Sequence, residues 1–245
     1  MTGTSDPFED LAARWNEQRP QSKVEAIVDV LRDAVVSGEL APNTPLRQDP
    51  LAQKFGISKI PLREALARLE GEGFVVTHPG RGVFVTDLRA DRIREIFQLR
   101  VLLETELLRA AVPALTPATL DRVGELIEVF ETAPVAQLGR QNWLIHSALY
   151  APSKRDLSMQ MLQGLHSHAE RYVHLHMGEV DHGRESNNEH RAILAACRQG
   201  DSERAVALLR AHLEGIGQAI CGHFERYLAA RARTDASDGK TLPDV

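Results

Sequence analysis

Cysteine is scarce in this chain: two residues, Cys197 and Cys221, among 245. They form no Cys-x-x-Cys pair and are too few for a disulfide framework, so a reducing, cytoplasmic setting is expected. No run of about 18 apolar residues occurs, so no membrane-spanning helix is expected, and no membrane partner is expected either. The N-terminal stretch MTGTSDPFEDLAARWNEQRP lacks the cationic start and apolar core of a secretory leader. HExxH, G-x-S-x-G and P-loop patterns are missing as well, so the common hydrolytic and phosphoryl-transfer signatures are not available. Excess positive charge is also lacking: the net charge is −5. What remains is ordinary for a globular protein, 43% hydrophobic and 26% charged residues, in a chain long enough for two domains.

The first half of the chain alternates helical stripes with turn signals. Ile27, Val28, Leu31, Val35 and Val36 recur at helical spacing, and Ser37-Gly38 ends that helix. Pro50 opens a short helix over Asp49 to Phe55, and Gly56 stops it. Ser58 is an N-cap for a third helix, Lys59 to Gly71, with Leu62, Leu66 and Leu69 on one side. Phe74-Val-Val-Thr77 and Gly82-Val-Phe-Val-Thr86 then alternate as strands, joined by His78-Pro-Gly-Arg81. Three helices and a hairpin make a winged helix-turn-helix. After Asp87 only helical stripes follow, punctuated by Pro113, Pro134, Pro152, Gly178 and Gly200. They read as an antiparallel all-α bundle with short loops. The expected class is therefore mainly α. A flexible arm covers 1–21, the winged domain 22–87, the helical effector-binding and dimerisation domain 91–232, and a disordered tail 233–245.

The chemistry of the first domain lies in Leu51-Ala-Gln-Lys-Phe-Gly-Ile-Ser-Lys-Ile-Pro-Leu-Arg-Glu-Ala-Leu66. From Arg47 to Arg63 four basic residues face one acid, Asp49, a local +3 in an acidic molecule. The first turn of the second helix of such a motif enters the major groove. Its free N–H groups suit a phosphate, and Arg63 can pair with a guanine edge through two hydrogen bonds. Ser58 and Lys59 share that first turn, Arg47 from the preceding loop can reach the backbone, and Gly80-Arg81-Gly82 form a wing tip with a charged finger. A solvated helix on which Arg63 and Arg68 merely pair with Glu64 and Glu70 is the bland alternative.

These residues resemble the DNA-binding domain of the GntR family of bacterial regulators over roughly Lys23 to Thr86. The family pattern Ser-Arg-Thr-Pro-Val-Arg-Glu-Ala-Leu stands here as Ser58-Lys59-Ile60-Pro61-Leu62-Arg63-Glu64-Ala65-Leu66. The resemblance implies operator-DNA contacts at Lys59, Pro61, Arg63 and Gly80 to Gly82. Lysine at 59 keeps the charge but loses the guanidinium fork, and isoleucine at 60 replaces a hydroxyl. The rest of the chain resembles the FadR-like branch, whose ligand domain is called FCD. The matching segments are Ile96 to Glu104, Asn142-Trp-Leu-Ile-His146-Ser-Ala-Leu149, Glu189-His190-Arg-Ala-Ile-Leu194 and Ala211-His212-Leu213.

Many FCD domains hold one divalent metal through an Asp-x₃-His pair and two more histidines. Asn142 and His146 are one turn apart on one helix face, and His190 and His212 sit on the apolar stripes of two further helices. The resemblance implies that these four hold a divalent ion, zinc or nickel first, which imidazole suits. Asparagine at 142 supplies an oxygen but no charge. It further implies that a small carboxylate effector completes the coordination opposite Arg100, whose fork suits a carboxylate. An ion pair with Glu104, four residues on, is the alternative for Arg100. His166, His168, His174, His176 and His182 crowd one region, but i, i+2 pairs point to opposite sides of a helix. His166 and Arg171 are weaker effector candidates.

Three functional classes compete. A metal-dependent enzyme would need a carboxylate base near His146, and none is evident. A purely architectural DNA binder has no use for inward histidines and an inward arginine. The remaining reading is a ligand-responsive repressor, not an enzyme, acting as a homodimer on double-stranded operator DNA.

Overall fold

The computed structural model describes residues 8, 11, 23–134, 137–176 and 182–237, without the side chains of 173–185 and 230–237. The chain divides into two compact units, Met1–Leu88 and Arg89–Val245.

The first unit is three helices and a hairpin: α1 (Lys23–Val36), α2 (Gln48–Lys54), α3 (Lys59–Gly71), β1 (Val75–His78) and β2 (Gly82–Val85). The helix α2 turns into α3 through a closed C-terminal motif. Gly56 takes φ +61, its N–H donates to Gln53 O, and Ile57 N donates to Ala52 O. That left-handed position is why a glycine stands there. The same motif ends α3, where Phe74 N donates to Leu69 O and both side chains are buried. The strands pair antiparallel with His78 opposite Gly82. Arg81 N bonds His78 O around Pro79 and Gly80, and Gly80 at φ +73 meets the demand of a type II turn. The loop before α2 bonds to β2 as well, Leu46 N to Val83 O. Leu31, Leu46, Phe55, Leu62, Leu69 and Val85 are fully or almost fully buried in one core.

One expectation needs correction here. Ser58 occupies the N-cap position, but its hydroxyl makes no capping bond. The arm expected over 1–21 lies mostly outside the described residues; of the two that are described, Leu11 is buried in this core and Phe8 packs against it.

The second unit is helical throughout its described residues: α4 (Ala90–Ala111), α5 (Pro117–Thr132), α6 (Leu138–Tyr150), α7 (Asp156–His176), α8 (His182–Arg198) and α9 (Ser202–Ser237). Helix α4 packs against α6, α7 and α9, and α5 against α6 and α8. Thr116 caps α5, accepting from Thr119 N, with Pro117 in the first turn. Helix α9 continues through Ser237, past the expected onset of a disordered tail at 233; residues 238–245 lie outside the described ones. None of the described helices is long and apolar enough to cross a membrane.

Candidate functional site

Each unit carries one candidate site. In the first, burial divides α3 cleanly. Leu62, Ala65, Leu66 and Leu69 face the core, while Ile60, Arg63, Glu64 and Ala67 lie exposed on the opposite line. This is the i, i+3, i+4, i+7 geometry of a helix with one face to present. Arg63 Nε donates to Gln48 Oε1 at 3.0 Å, and Lys59 Nζ meets Asp49 Oδ1 at 2.7 Å. Both contacts are solvent-exposed and worth less than about 1 kcal/mol, so they hold the cations beside the first turn without locking them there. Arg47 is exposed at the N-cap of α2, Ser58 is exposed, and Pro61 is half-buried. Gly80, Arg81 and Gly82 are exposed at the wing tip, where the Arg81 guanidinium lies 5.9 Å from the Phe84 ring centre. Glu70 ties the wing to α3, accepting from Thr77 N at 2.7 Å and Thr77 Oγ1 at 2.9 Å. Arg32 of α1 grips the same end of α3, Nε and Nη2 each 2.9 Å from the Glu72 carboxylate. The exposed face of α3 and the wing are thus held as one surface.

In the second unit His146 (α6), His190 (α8) and His212 (α9) converge. Their ligating nitrogens lie within 4.8 Å of one another, and all three residues are buried. His146 Nε2 and His190 Nε2 are 3.2 Å apart, and the rings of His190 and His212 stand 4.7 Å apart. Burial, then the neighbouring imidazoles, pushes His146 well below the usual histidine range; burial and His212 do the same to His190. Both are therefore neutral, with lone pairs available to a Lewis acid. The His212 Nε2 atom is buried without a hydrogen-bond partner, as is His190 Nδ1. Buried polar atoms are normally satisfied, so the unpartnered His212 Nε2 stands out, whereas His190 already faces His146 with Nε2.

The outer side of the cluster is tied down. Tyr150 OH donates to Glu104 Oε2 at 2.8 Å and lies 2.8 Å from His146 Nδ1. With its own proton given to Glu104, the phenol accepts from His146 Nδ1–H, which turns the Nε2 lone pair inward. Burial, then the Glu104 charge, raises the Tyr150 hydroxyl well above its ordinary range. Glu189 holds His212 in the same way, Oε2 to Nδ1 at 2.6 Å, and that bond lowers the Glu189 carboxyl.

Arg100 is buried, and its Nε donates to Glu104 Oε1 at 2.7 Å while the guanidinium lies 4.9 Å from the Phe97 ring centre. The ion-pair alternative for Arg100 is thus realised in this structure. A carboxylate the sequence did not reveal stands near His146, Glu104 Oε2 at 3.4 Å from Nδ1, with both its oxygens engaged by Arg100 and Tyr150. Asn142, half-buried, is one turn before His146 on α6; its amide nitrogen faces His166 Nε2 at 3.4 Å. His166 is buried and depressed by burial and by Arg100, Arg171 is buried, and His168 is half-buried. The side chains of His174, His176 and His182 lie outside the described residues.

Reading the sequence missed Tyr150, Glu189 and Asn187. Tyr150 carried a usable signal, since it stands four residues after His146 on the same face. Glu189 did not, being next to His190 and side-on to it. Asn187, three residues before His190, is buried with its Oδ1 unpartnered.

With both geometries described, known proteins can be set beside them. Residues 23–85 match the bacterial regulatory proteins of the gntR family, and residues 95–215 match the FCD domain. The chain is 30% identical over 204 residues to the uncharacterized HTH-type transcriptional regulator BphR of Paraburkholderia xenovorans (strain LB400), covering 79% of this chain and 83% of that one. It is 24% identical over 195 residues to the HTH-type transcriptional repressor GlaR of Escherichia coli (strain K12), covering 75% and 89%. Among solved structures, E. coli McbR/YncC superposes with a TM-score of 0.71 at 25% identity, over 83% of this chain and 98% of that one. A helix-turn-helix with its wing, followed by an FCD helical domain, in a chain with such relatives, belongs to the GntR family of bacterial transcriptional regulators.

Proposed function

We propose that this regulator is a repressor that binds a palindromic operator as a cytoplasmic homodimer, and that a small carboxylate entering the helical unit loosens its grip. The observation that carries the sensing half is the cluster of three buried imidazoles with an unpartnered His212 Nε2.

The donor set fits a divalent ion. Two nitrogens 3.2 Å apart match neighbouring ligands on an ion with metal–nitrogen bonds of about 2.0–2.1 Å. His146, His190 and His212 would hold it, with the Asn142 oxygen as a fourth candidate. Imidazole ligands favour zinc or nickel over calcium or magnesium. When bound, the ion supplies a Lewis-acidic position for a carboxylate oxygen. All the nearest donors are neutral, so the dipositive charge is left for an anion to balance. That favours a carboxylate over a neutral metabolite. Arg100 stands behind Glu104 as a second cationic element, and Tyr150 and Glu189 keep two of the imidazoles turned inward.

The same geometry argues for a sensor over an enzyme. Glu104 already accepts from Arg100 at one oxygen and from Tyr150 at the other, and a carboxylate so occupied is a poor general base.

On the DNA side, Arg63 reads a base, while Arg47, Ser58, Lys59, Pro61, Gly80, Arg81 and Gly82 set the approach to the phosphates. Effector binding changes operator affinity by a coupling typically worth about 1–3 kcal/mol.

Metal content and melting of the purified protein, beside His146→Ala and His190→Ala, test the site. About one ion per chain in wild type and none in either variant is expected, with melting raised by the ion in wild type alone. Wild type that stays empty after reconstitution with zinc or nickel sinks the ion. Operator affinity that no bound carboxylate changes sinks the sensing mechanism.

A further inference from the structure

The exposed face of α3 carries one large apolar side chain. Ile60 is 69% exposed in the first turn, between Lys59 and Pro61 and one turn before Arg63. Nothing in the fold requires an isoleucine there, because the helix buries Leu62, Ala65, Leu66 and Leu69 on its other side. A large apolar side chain held in water is unfavourable by the usual area rule, so it fits best where a partner covers it. The first turn of this helix is the part that meets the major groove. That groove is lined by hydrogen-bonding edges and offers one apolar group, the C5-methyl of thymine.

We infer that Ile60 is a specificity-determining residue that reads a thymine methyl in each operator half-site, beside the base contacted by Arg63. The two side chains lie three residues apart on one helix face, so they address neighbouring base pairs. One is a polar reader and the other an apolar one. Isoleucine thus exchanges the hydrogen bond a hydroxyl could make for a shape contact that only a methylated pyrimidine satisfies. The selected site carries thymine at a fixed step from the guanine that Arg63 reads.

The test uses the full chain. Duplexes are selected from a random library, and each thymine of the winning site is replaced in turn by deoxyuridine, which removes only the methyl group. Affinities are measured by anisotropy at one salt concentration for wild type, Ile60→Ala and Ile60→Ser. For wild type, one symmetric position should lose about four-fold per half-site, the value of one buried methyl, and about fifteen-fold when both are changed. Ile60→Ala should be indifferent to the same change and should melt with wild type, because the position is exposed. Ile60→Ser, which has a hydroxyl and no methyl, should also lose the preference, which separates shape reading from general helix effects. Deoxyuridine that is neutral everywhere, or that costs Ile60→Ala as much as wild type, overturns the inference. A library that yields no site at all sinks DNA binding itself, and this inference with it.

Discussion

The two units solve opposite problems. Among the described residues, every buried polar or charged side chain belongs to the second unit: Arg100, Glu104, Thr105, His146, His166, Arg171, Ser186, Asn187, His190 and His212. The core of the first unit is wholly apolar. A unit that reads a polymer outside itself needs a rigid core and a charged surface. A unit that recognises a small molecule by enclosing it must bury the recognising groups, and buried polar groups have to be held by one another. The proposed functions therefore sit on the surface of one and in the interior of the other, and substitutions should separate accordingly into losses of binding and losses of stability.

Glu104→Leu should produce the largest effect. It strands the buried Arg100 cation and frees Tyr150, and breaking one side of a buried pair typically costs about 3–5 kcal/mol. Chemical denaturation would measure this, and Arg100→Met combined with Glu104→Leu should recover most of the loss. A single variant as stable as wild type would mean the pair does not hold the buried network together. Arg63→Ala should leave denaturation unchanged and weaken operator binding by about 1–3 kcal/mol per half-site. Equal weakening on unrelated DNA would reduce Arg63 to a phosphate contact.

Tyr150→Phe removes one hydroxyl from the relay between His146 and Glu104. It should cost about 1–2 kcal/mol of stability and lower metal affinity about 10–100-fold, read by competition with a chelating dye; unchanged affinity would show that His146 is oriented by packing alone. The smallest effect belongs to the wing. Arg81→Ala should reduce the slope of log affinity against log salt by about 1 while leaving sequence preference intact. A change in the preferred base would make Arg81 a reader.

The same contrast explains what could be seen in advance. The helix-turn-helix was legible because its signals are local: Gly56 between two short helices, leucines at helical spacing, and a Pro-Gly turn between two alternating strands. The inward stripes bearing His146, His190 and His212 were legible for the same reason, since periodicity tells which residues face inward. One local signal misled. Ser58 looked like a hydrogen-bonding cap and holds the position without the bond.

The amino-acid sequence by itself determined the order and type of the elements, the exposed basic face of α3, and the set of side chains that turn inward, because helix period, turn geometry and caps depend on neighbours a few residues away. Only the tertiary structure decided which inward groups meet. Tyr150 and Glu104 are 46 residues apart, and His146 and His190 are 44 apart. No local rule couples residues at such distances. The packing of α4 against α6 puts a carboxylate behind the first imidazole, and the convergence of α6, α8 and α9 leaves a buried lone pair without a partner. The physical reason is burial: once water is excluded, every polar group must find its hydrogen bond among whatever the packing brings beside it.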